Sequence, residues 1–208
     1  MPKSVASEIY RKHYADAILY DQLPAGADYS ELDAAINSGI GRAIPWMGKA
    51  AGVNFPITTA AQAVTYATNA IDKVALIQRY WAVRLSFLHG LRTWSHFGIG
   101  WGRRCANGEA AAVKMWLVSG AKLPEPEVKK KMNDQANKAQ TQSKKAGSGA
   151  AGTATGGAAA PALPDWAHMS LGGRFLVGIA IVVLVAMAIY LLRQSILHNQ
   201  RATAYAKA

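Results

Sequence analysis

Cysteine is almost absent from this chain, since Cys105 is the only one among 208 residues. A lone cysteine excludes an intramolecular disulfide, so the fold does not depend on an oxidising compartment. Arg103 and Arg104 precede it and favour a thiolate, yet no Cys/His/Asn pattern of a thiol enzyme accompanies them. We therefore do not expect a catalytic cysteine.

Alternation of polar and apolar residues, the pattern of a strand, is also missing over any sustained length. We predict an all-α fold with three parts. Residues 1–121 form a small helical domain with one long central helix, residues 122–165 a Lys-rich and then Gly/Ala-rich flexible linker, and residues 166–208 a transmembrane anchor with a short basic tail. Thr59 and Gln62 form a capping-box pattern that starts the central helix, which we expect to reach about Trp94.

Charge is missing from residues 175–192, FLVGIAIVVLVAMAIYLL, which Arg174 and Arg193 flank. A helix of this length spans roughly 27 Å, close to the hydrocarbon thickness of a bilayer. The alternative is a helix buried in a large soluble core, which the flanking arginines disfavour. We predict one membrane span, whose apolar members include Phe175, Leu176, Val177, Ile181, Val182, Leu184, Leu191 and Leu192.

The N-terminal twenty residues lack the apolar core of a secretory signal and contain Glu8 and Asp16. This pattern is typical of a tail-anchored protein or of an uncleaved subunit of an organelle membrane. A single span would place the domain and the tail from Gln194 to Ala208 on opposite sides. The positive-inside count places the tail on the cytosolic or matrix side. The absence of a leader signal instead favours the helical domain on the cytosolic or matrix side. We predict this second orientation.

Acidic residues are scarce beyond residue 60, and the whole chain has a formal charge of +11. Arginine alternates with aromatic residues in the same region. We predict contacts with lipid headgroups or partner subunits at Arg79, Trp81, Arg84, Arg92, Trp94, Trp101, Arg103, Arg104, Arg174 and Arg193. Nucleic-acid binders share this composition, but the span favours the membrane interface or a protein interface.

Other local patterns predict little chemistry. Ser30 to Asp33 resembles a capping box, and the Gly- and Pro-rich residues 39–57 predict a loop or a broken segment. The glycines at 98, 100 and 102 match no phosphate-loop motif and predict a helix-terminating turn. His89 and His96 lie about 10 Å apart along one helix, too far to share a metal. We therefore predict no catalytic residue, no cofactor and no metal.

These observations favour a non-catalytic accessory subunit of a membrane complex, of respiratory-chain or ATP-synthase type, in the mitochondrial inner membrane. The expected partners are other subunits of that complex and anionic lipids such as cardiolipin, and not nucleic acid. The alternative is a membrane-anchored basic protein that binds nucleic acid or lipid headgroups, as in a virion or nucleoid. Its discriminating feature is the Lys129–Lys131 cluster, whose removal would then weaken binding and its salt dependence. An enzyme ranks third.

Overall fold

The computed structural model describes residues 2–155 and 170–208, and within these ranges it contains eight α-helices and no β-strand. The helices are α1 Lys3–Tyr10, α2 Ala27–Ser38, α3 Ile40–Ala50, α4 Ala60–Asn69, α5 Lys73–His89, α6 Trp94–Met115, α7 Glu125–Thr155 and α8 Leu171–Lys207. Short π and 3-10 turns over residues 11–22 and 116–120 connect α1 to α2 and extend α6. The predicted all-α class with a long apolar helix near the C-terminus is confirmed.

The chain divides into two compact units. The first consists of Met1–Asp134 together with Ala204–Ala208, and the second is Gln135–Thr203. The core of the first unit lies where α2, α3 and α5 pack, and it includes Ile18, Leu23, Ala34, Ala43, Trp46, Met47, Ile57, Ala63, Leu76 and Tyr80. The Trp46 ring lies 5.3 Å from Phe87 and 6.4 Å from Tyr80 between centroids.

Helices α2 and α3 differ from the sequence prediction. Helix α2 begins at Ala27, so Ser30 lies inside it and donates its hydroxyl proton to the Gly26 carbonyl at 2.6 Å instead of capping the helix. Gly39 ends α2, and residues 40–50 then form α3 around Pro45. The prediction of a loop or broken segment over residues 39–57 therefore misses the helix in its first half. Burial of Trp46 and Met47 compensates for the hydrogen bond that Pro45 cannot donate.

The predicted helix from Thr59 to about Trp94 is broken at residues 70–72, and its second part ends at His89, before the predicted end. Its capping box is present, because the Thr59 hydroxyl accepts from the Gln62 amide and the Gln62 side chain accepts from the Thr59 amide. The chain leaves the helix at Ala70, and Asp72 caps a new helix by accepting from the Ala75 amide at 2.9 Å. By capping α5, Asp72 stabilises the beginning of a new helix within a stretch whose sequence is helical on both sides.

Helix α6 runs through the three glycines for which the sequence predicted a turn. Gly98 and Gly102 are buried within it, and the helix continues to Met115. Gly98 lies against Trp94, where an added Cβ would approach the indole to 2.6 Å. Gly98 therefore permits close packing of Trp94 on the helix, and the predicted helix-terminating turn is wrong.

Helix α7 covers much of the segment whose composition predicted a flexible linker. Residues 125–155 are helical, which accords with the many Ala, Lys and Gln residues and their high helix propensity. In the second unit α7 packs on α8, where Ser143 donates to the Ser195 carbonyl at 2.9 Å and the Ser195 hydroxyl donates to the Ser143 carbonyl at 3.0 Å. The remainder of the predicted linker, residues 156–165, lies outside the described residues, and the predicted domain boundaries stay predictions.

Gly108 on α6 packs closely against Trp81 on α5, and a substitution can test this contact. A Cβ added there would lie 2.2 Å from Cη2 of Trp81, whose side chain is buried. Because the ring cannot move without disturbing the core, we expect Gly108→Ala to lower the free energy of unfolding by about 1–3 kcal/mol. Urea denaturation of the purified full chain in detergent measures this change.

Gly100 on the same helix supplies the matched control. An added Cβ there meets nothing within 4 Å. Gly100→Ala should therefore stabilise the chain by about 0.5–1 kcal/mol, the usual gain of alanine over glycine within a helix. Equal effects of the two substitutions would contradict the packing of α6 on Trp81.

Candidate functional site

Three helices bring a cluster of charged side chains together in the first unit. Asp33 on α2 accepts from Nη1 of Arg84 on α5 and from Nη2 of Arg104 on α6, the latter at 2.5 Å. Arg84 is only 2% exposed, whereas about half of the Arg104 side chain is exposed. The Arg84 guanidinium lies 4.9 Å from the centroid of the Trp81 ring. Asp33 therefore neutralises a buried cation and ties α2 to α5 and α6.

A second contact fixes α2 against α5 beside this cluster. The indole Nε1 of Trp81 donates to the Ser30 hydroxyl at 2.9 Å, and that hydroxyl donates to the Gly26 carbonyl. Gly26 itself has a φ of +80° and leaves no room for a side chain, since an added Cβ would lie 2.2 Å from the Ala112 carbonyl oxygen. The segment from Gly26 to Asp33 is thus held on both sides by buried polar contacts.

Glu31 lies on the same helix and is fully buried. Neither of its carboxyl oxygens has a hydrogen-bond partner among the described residues. Burial raises the pKa of Glu31 from 4.5 to about 9. At neutral pH the side chain therefore carries a proton, as a general acid must, but it does not reach the surface where a substrate would bind.

The first two turns of α6 carry an aromatic cluster formed by Trp94, Phe97 and Trp101, in which Phe97 is exposed and the two tryptophans are half-buried. The Trp101 centroid lies 5.6 Å from that of Phe97 and 6.1 Å from that of Trp94. His89, at the end of α5, extends the cluster by stacking on Trp94 at 4.2 Å. Phe97 is 56% exposed. The spacing of three and seven residues along the helix places these rings on one face.

Three arginines close in sequence to the aromatic cluster, Arg92, Arg103 and Arg104, are exposed. Arg104 also pairs with Asp33. Aromatic rings with exposed guanidinium groups in the same region suit a ligand with both apolar faces and negative charge. The cluster is therefore a candidate binding surface for such a ligand.

The residues predicted to contact lipid or partner subunits fall into three groups. Trp81 and Arg84 lie in the interior, held by Ser30 and Asp33. The exposed or half-buried members are Arg79, Arg92, Trp94, Trp101, Arg103, Arg104 and Arg193. Arg79 also donates from Nε to the Ala50 carbonyl at 2.5 Å. The side chain of Arg174 lies outside the described residues, and contact of the exposed members with lipid or protein stays a prediction.

The sequence predicted that His89 and His96 lie on one helix, but the structure places them on two. His89 ends α5, whereas His96 lies in α6 near Phe97, and both are exposed. Cys105 is buried, and this burial raises the pKa of its thiol to about 11, opposite to the lowering that its arginine neighbours favoured. Among the described residues no group of three or more His, Cys, Asp or Glu side chains forms a cluster that fits a metal ion.

The predicted membrane span lies in α8. Within the described residues, the helix segment Leu176–Lys207 is long and apolar enough to cross a membrane, with a mean hydropathy of 2.6 in its most apolar window. The side chains of that window are not buried by the rest of the chain, and Leu176, Ile181, Val182, Leu184 and Leu192 are exposed. Val177 and Leu191 are half-buried, and the side chain of Phe175 lies outside the described residues.

Comparison with known proteins indicates the kind of protein this chain resembles. Residues 1–39 match the family model described as Glycosyl hydrolase 108. The structure of SagA from Brucella abortus is similar, with a TM-score of 0.51 and 33% sequence identity. The alignment covers 55% of this chain and 66% of SagA, just under two thirds. No curated protein sequence matches the chain significantly.

These similarities overturn the functional prediction made from the sequence. A match to a glycoside hydrolase family and to SagA contradicts a non-catalytic accessory subunit of a respiratory or ATP-synthase complex, and with it the mitochondrial inner membrane. The same matches contradict the alternative of a nucleic-acid-binding or headgroup-binding protein and the prediction that the chain is not an enzyme. The prediction rested on the membrane span and on the basic aromatic stretch. The match to the hydrolase family lies instead in residues 1–39, which include α1 and α2.

Proposed function

We propose that this chain is a glycoside hydrolase module of the family 108 type that acts on peptidoglycan beside a membrane. The observation that carries the proposal is the match of residues 1–39 to that family, within the region where α2 is anchored by Asp33. The similarity to SagA, at 33% identity, supports it independently of that short match. The exposed span of α8 supports a site of action next to a bilayer.

The aromatic cluster of α6 accords with a glycan substrate. The flat C–H face of a sugar ring stacks on an aromatic ring, and Trp94, Phe97 and Trp101 present three rings on one surface. Peptidoglycan also carries carboxylates, which exposed arginines such as Arg92 would bind. The formal charge of +11 favours approach to such an acidic polymer.

Glycoside hydrolysis requires two carboxyl groups that both face the scissile bond. Glu31 has the protonation state of a general acid but is enclosed by the core, and Asp33 is held by Arg84 and Arg104. We therefore assign neither as a catalytic group. Their role in this proposal is to hold the fold of the segment that resembles the hydrolase family.

The direct test measures release of soluble reducing sugars from purified peptidoglycan by the full chain in mild detergent. Hydrolysis that requires the folded chain is the expected result. A chain that neither releases sugars nor sediments with insoluble peptidoglycan would overturn the proposal.

Phe97 and Phe55 provide a matched pair for the binding surface. They have nearly equal exposure, 56% and 55%, but Phe55 lies in the loop before α4 and pairs with Tyr66 rather than with the cluster. We expect Phe97→Ala to weaken sedimentation with peptidoglycan about tenfold, equivalent to about 1.4 kcal/mol, because a stacking face is lost. Phe55→Ala should leave binding unchanged, and an equal loss in both variants would contradict the assignment of the surface.

Anionic lipids are a proposed partner of the flanks of the span. Arg193 is exposed one residue beyond the apolar run, where its guanidinium would meet lipid phosphate at the membrane surface. A single-pass arrangement of α8 is part of the same proposal.

A further inference from the structure

The segment that follows the apolar run returns to the first unit. We call residues 204–208 the tail segment; it belongs to the unit formed by Met1–Asp134. Tyr205 is 2% exposed, and its hydroxyl donates to Oε1 of the buried Glu109 at 2.8 Å. The same hydroxyl accepts from Nε2 of Gln78 at 3.0 Å. Lys114 also donates from Nζ to the Ala208 carbonyl oxygen.

These contacts are specific rather than incidental. Tyr205 is one of the largest side chains in the chain that is almost fully enclosed, and it joins α5 and α6 through one hydroxyl. A hydrogen bond between a phenol and a buried carboxyl group supports a defined docking geometry, because both groups would otherwise lose water without replacement.

The interface between the tail segment and the rest of the first unit is incompletely packed at its outer edge. A cavity of about 530 Å³ lies between the end of α6, the first two turns of α7 and the tail segment, and Tyr205, Ala206 and Ala208 form part of its wall. Ala206, Lys207 and Ala208 are exposed. The tail segment is therefore held mainly by Tyr205, with a second contact from Lys114 to Ala208, at a site that opens to solvent, an arrangement that permits release.

A membrane crossing by α8 is incompatible with this docking. If residues 175–192 cross a bilayer once, the helical domain before them and the tail segment after them lie on opposite sides. Tyr205 then cannot reach Glu109. Among the described residues only one helix segment, in α8, is long and apolar enough to span a membrane. Helix α7 carries the charged run Lys129–Lys131 near its start. The described residues therefore offer no second span that could bring the tail segment back to the side of the domain.

We propose that the tail segment is a latch that holds the chain in an uninserted form, and that membrane insertion of α8 releases Tyr205 from Glu109. In the latched form the tail segment is retained on the same side as the domain. Insertion moves it across the bilayer and exposes the buried carboxyl of Glu109 and the wall of the cavity to water. The docked tail thereby opposes insertion by the free energy of its own contacts.

A photo-crosslinking amino acid at Ala206 tests the docking without altering Tyr205. The full chain is compared in detergent-free solution and with vesicles of phosphatidylethanolamine and phosphatidylglycerol. We expect a crosslink to the peptides around Lys114 or Met132 in solution. In the fraction that resists carbonate extraction the crosslink should be lost. An undiminished crosslink in that fraction would overturn the proposal and indicate a helix that lies flat on the membrane.

Tyr205→Phe tests the latch quantitatively. It removes the hydroxyl that Glu109 and Gln78 share and should raise the inserted fraction about tenfold at limiting lipid, the usual effect of losing a buried hydrogen bond. Tyr10→Phe, at an exposed site in α1, is the matched control and should have no effect. An unchanged inserted fraction for Tyr205→Phe would also overturn the proposal.

Val182→Lys separates failure of the latch from failure of the span. A lysine in the middle of the apolar run should abolish insertion while the solution crosslink from Ala206 persists. Circular dichroism melts of each variant confirm that the domain is folded. Loss of the solution crosslink in this variant would show that the docking depends on the span instead of opposing it.

Discussion

Replacing Asp33 with alanine is expected to lower the free energy of unfolding by about 3–5 kcal/mol, the usual cost of removing one partner of a buried ion pair. Arg84 is 2% exposed and Asp33 is its ion-pair partner, so the substitution leaves a guanidinium in the interior without an opposite charge. Arg84 Nε already has no hydrogen-bond partner among the described residues, which increases the dependence on Asp33. Chemical denaturation of the full chain in detergent, followed by circular dichroism, measures the loss.

Arg104 offers the control for this substitution, since it binds the other oxygen of Asp33 from the surface. About half of its side chain is exposed, and Arg104→Gln should cost less than about 1 kcal/mol. The double variant Asp33→Ala with Arg84→Met should recover much of the loss, because an apolar side chain of similar length then fills the site. A loss below about 1 kcal/mol for Asp33→Ala alone would contradict the burial of this pair.

The importance of Asp33 could not be predicted from the sequence. Arg84 lies 51 residues away and Arg104 lies 71 residues away, and no local pattern connects them. The sequence instead predicted both arginines as surface contacts, because Arg among aromatic residues is typical of membrane interfaces. Only the packing of α2 against α5 and α6 decides which arginine is buried and which remains exposed.

Local signals performed better for secondary structure than for packing. Thr59 with Gln62 correctly predicted a helix start, and the apolar run after Arg174 correctly predicted a long apolar helix. The glycines at 98, 100 and 102 misled the prediction because glycine ends many helices, whereas here Gly98 leaves room for the Trp94 ring of the same helix. Packing at a glycine, which periodicity does not record, is consistent with a helix that continues.

The candidate site was predictable only in part. Trp94, Trp101, Arg103 and Arg104 were predicted to contact lipid or partner subunits, and the structure places Trp94 and Trp101 next to Phe97 on one helix. The docking of Tyr205 on Glu109 was not predictable, because the two residues are 96 positions apart and the intervening span directed attention to the membrane. Tyr205, a polar aromatic residue in a short basic tail, was the sequence feature that could have indicated this docking.

Replacing Glu31 with methionine is expected to stabilise the chain, and the gain should grow with pH. The buried carboxyl has a pKa of about 9 in the folded chain, against an ordinary value of 4.5. The folded state therefore keeps a proton that the unfolded state releases above pH 4.5. The contribution of Glu31 to stability is fully present below pH 4.5 and is lost progressively as the pH rises towards about 9. At pH 7 the difference corresponds to about 3 kcal/mol.

Denaturant unfolding of the wild type and Glu31→Met at a series of pH values measures this dependence. We expect the difference in unfolding free energy between the two to be small near pH 4 and to increase by up to about 1.4 kcal/mol per pH unit through the neutral range. Glu8→Met, at an exposed site in α1, is the control and should change stability by less than about 0.5 kcal/mol. A Glu31→Met effect that is independent of pH would show that the carboxyl finds water or a hydrogen-bond partner in the folded chain. In that case Glu31 would be ionised at neutral pH, and its exclusion from a catalytic role would no longer rest on burial.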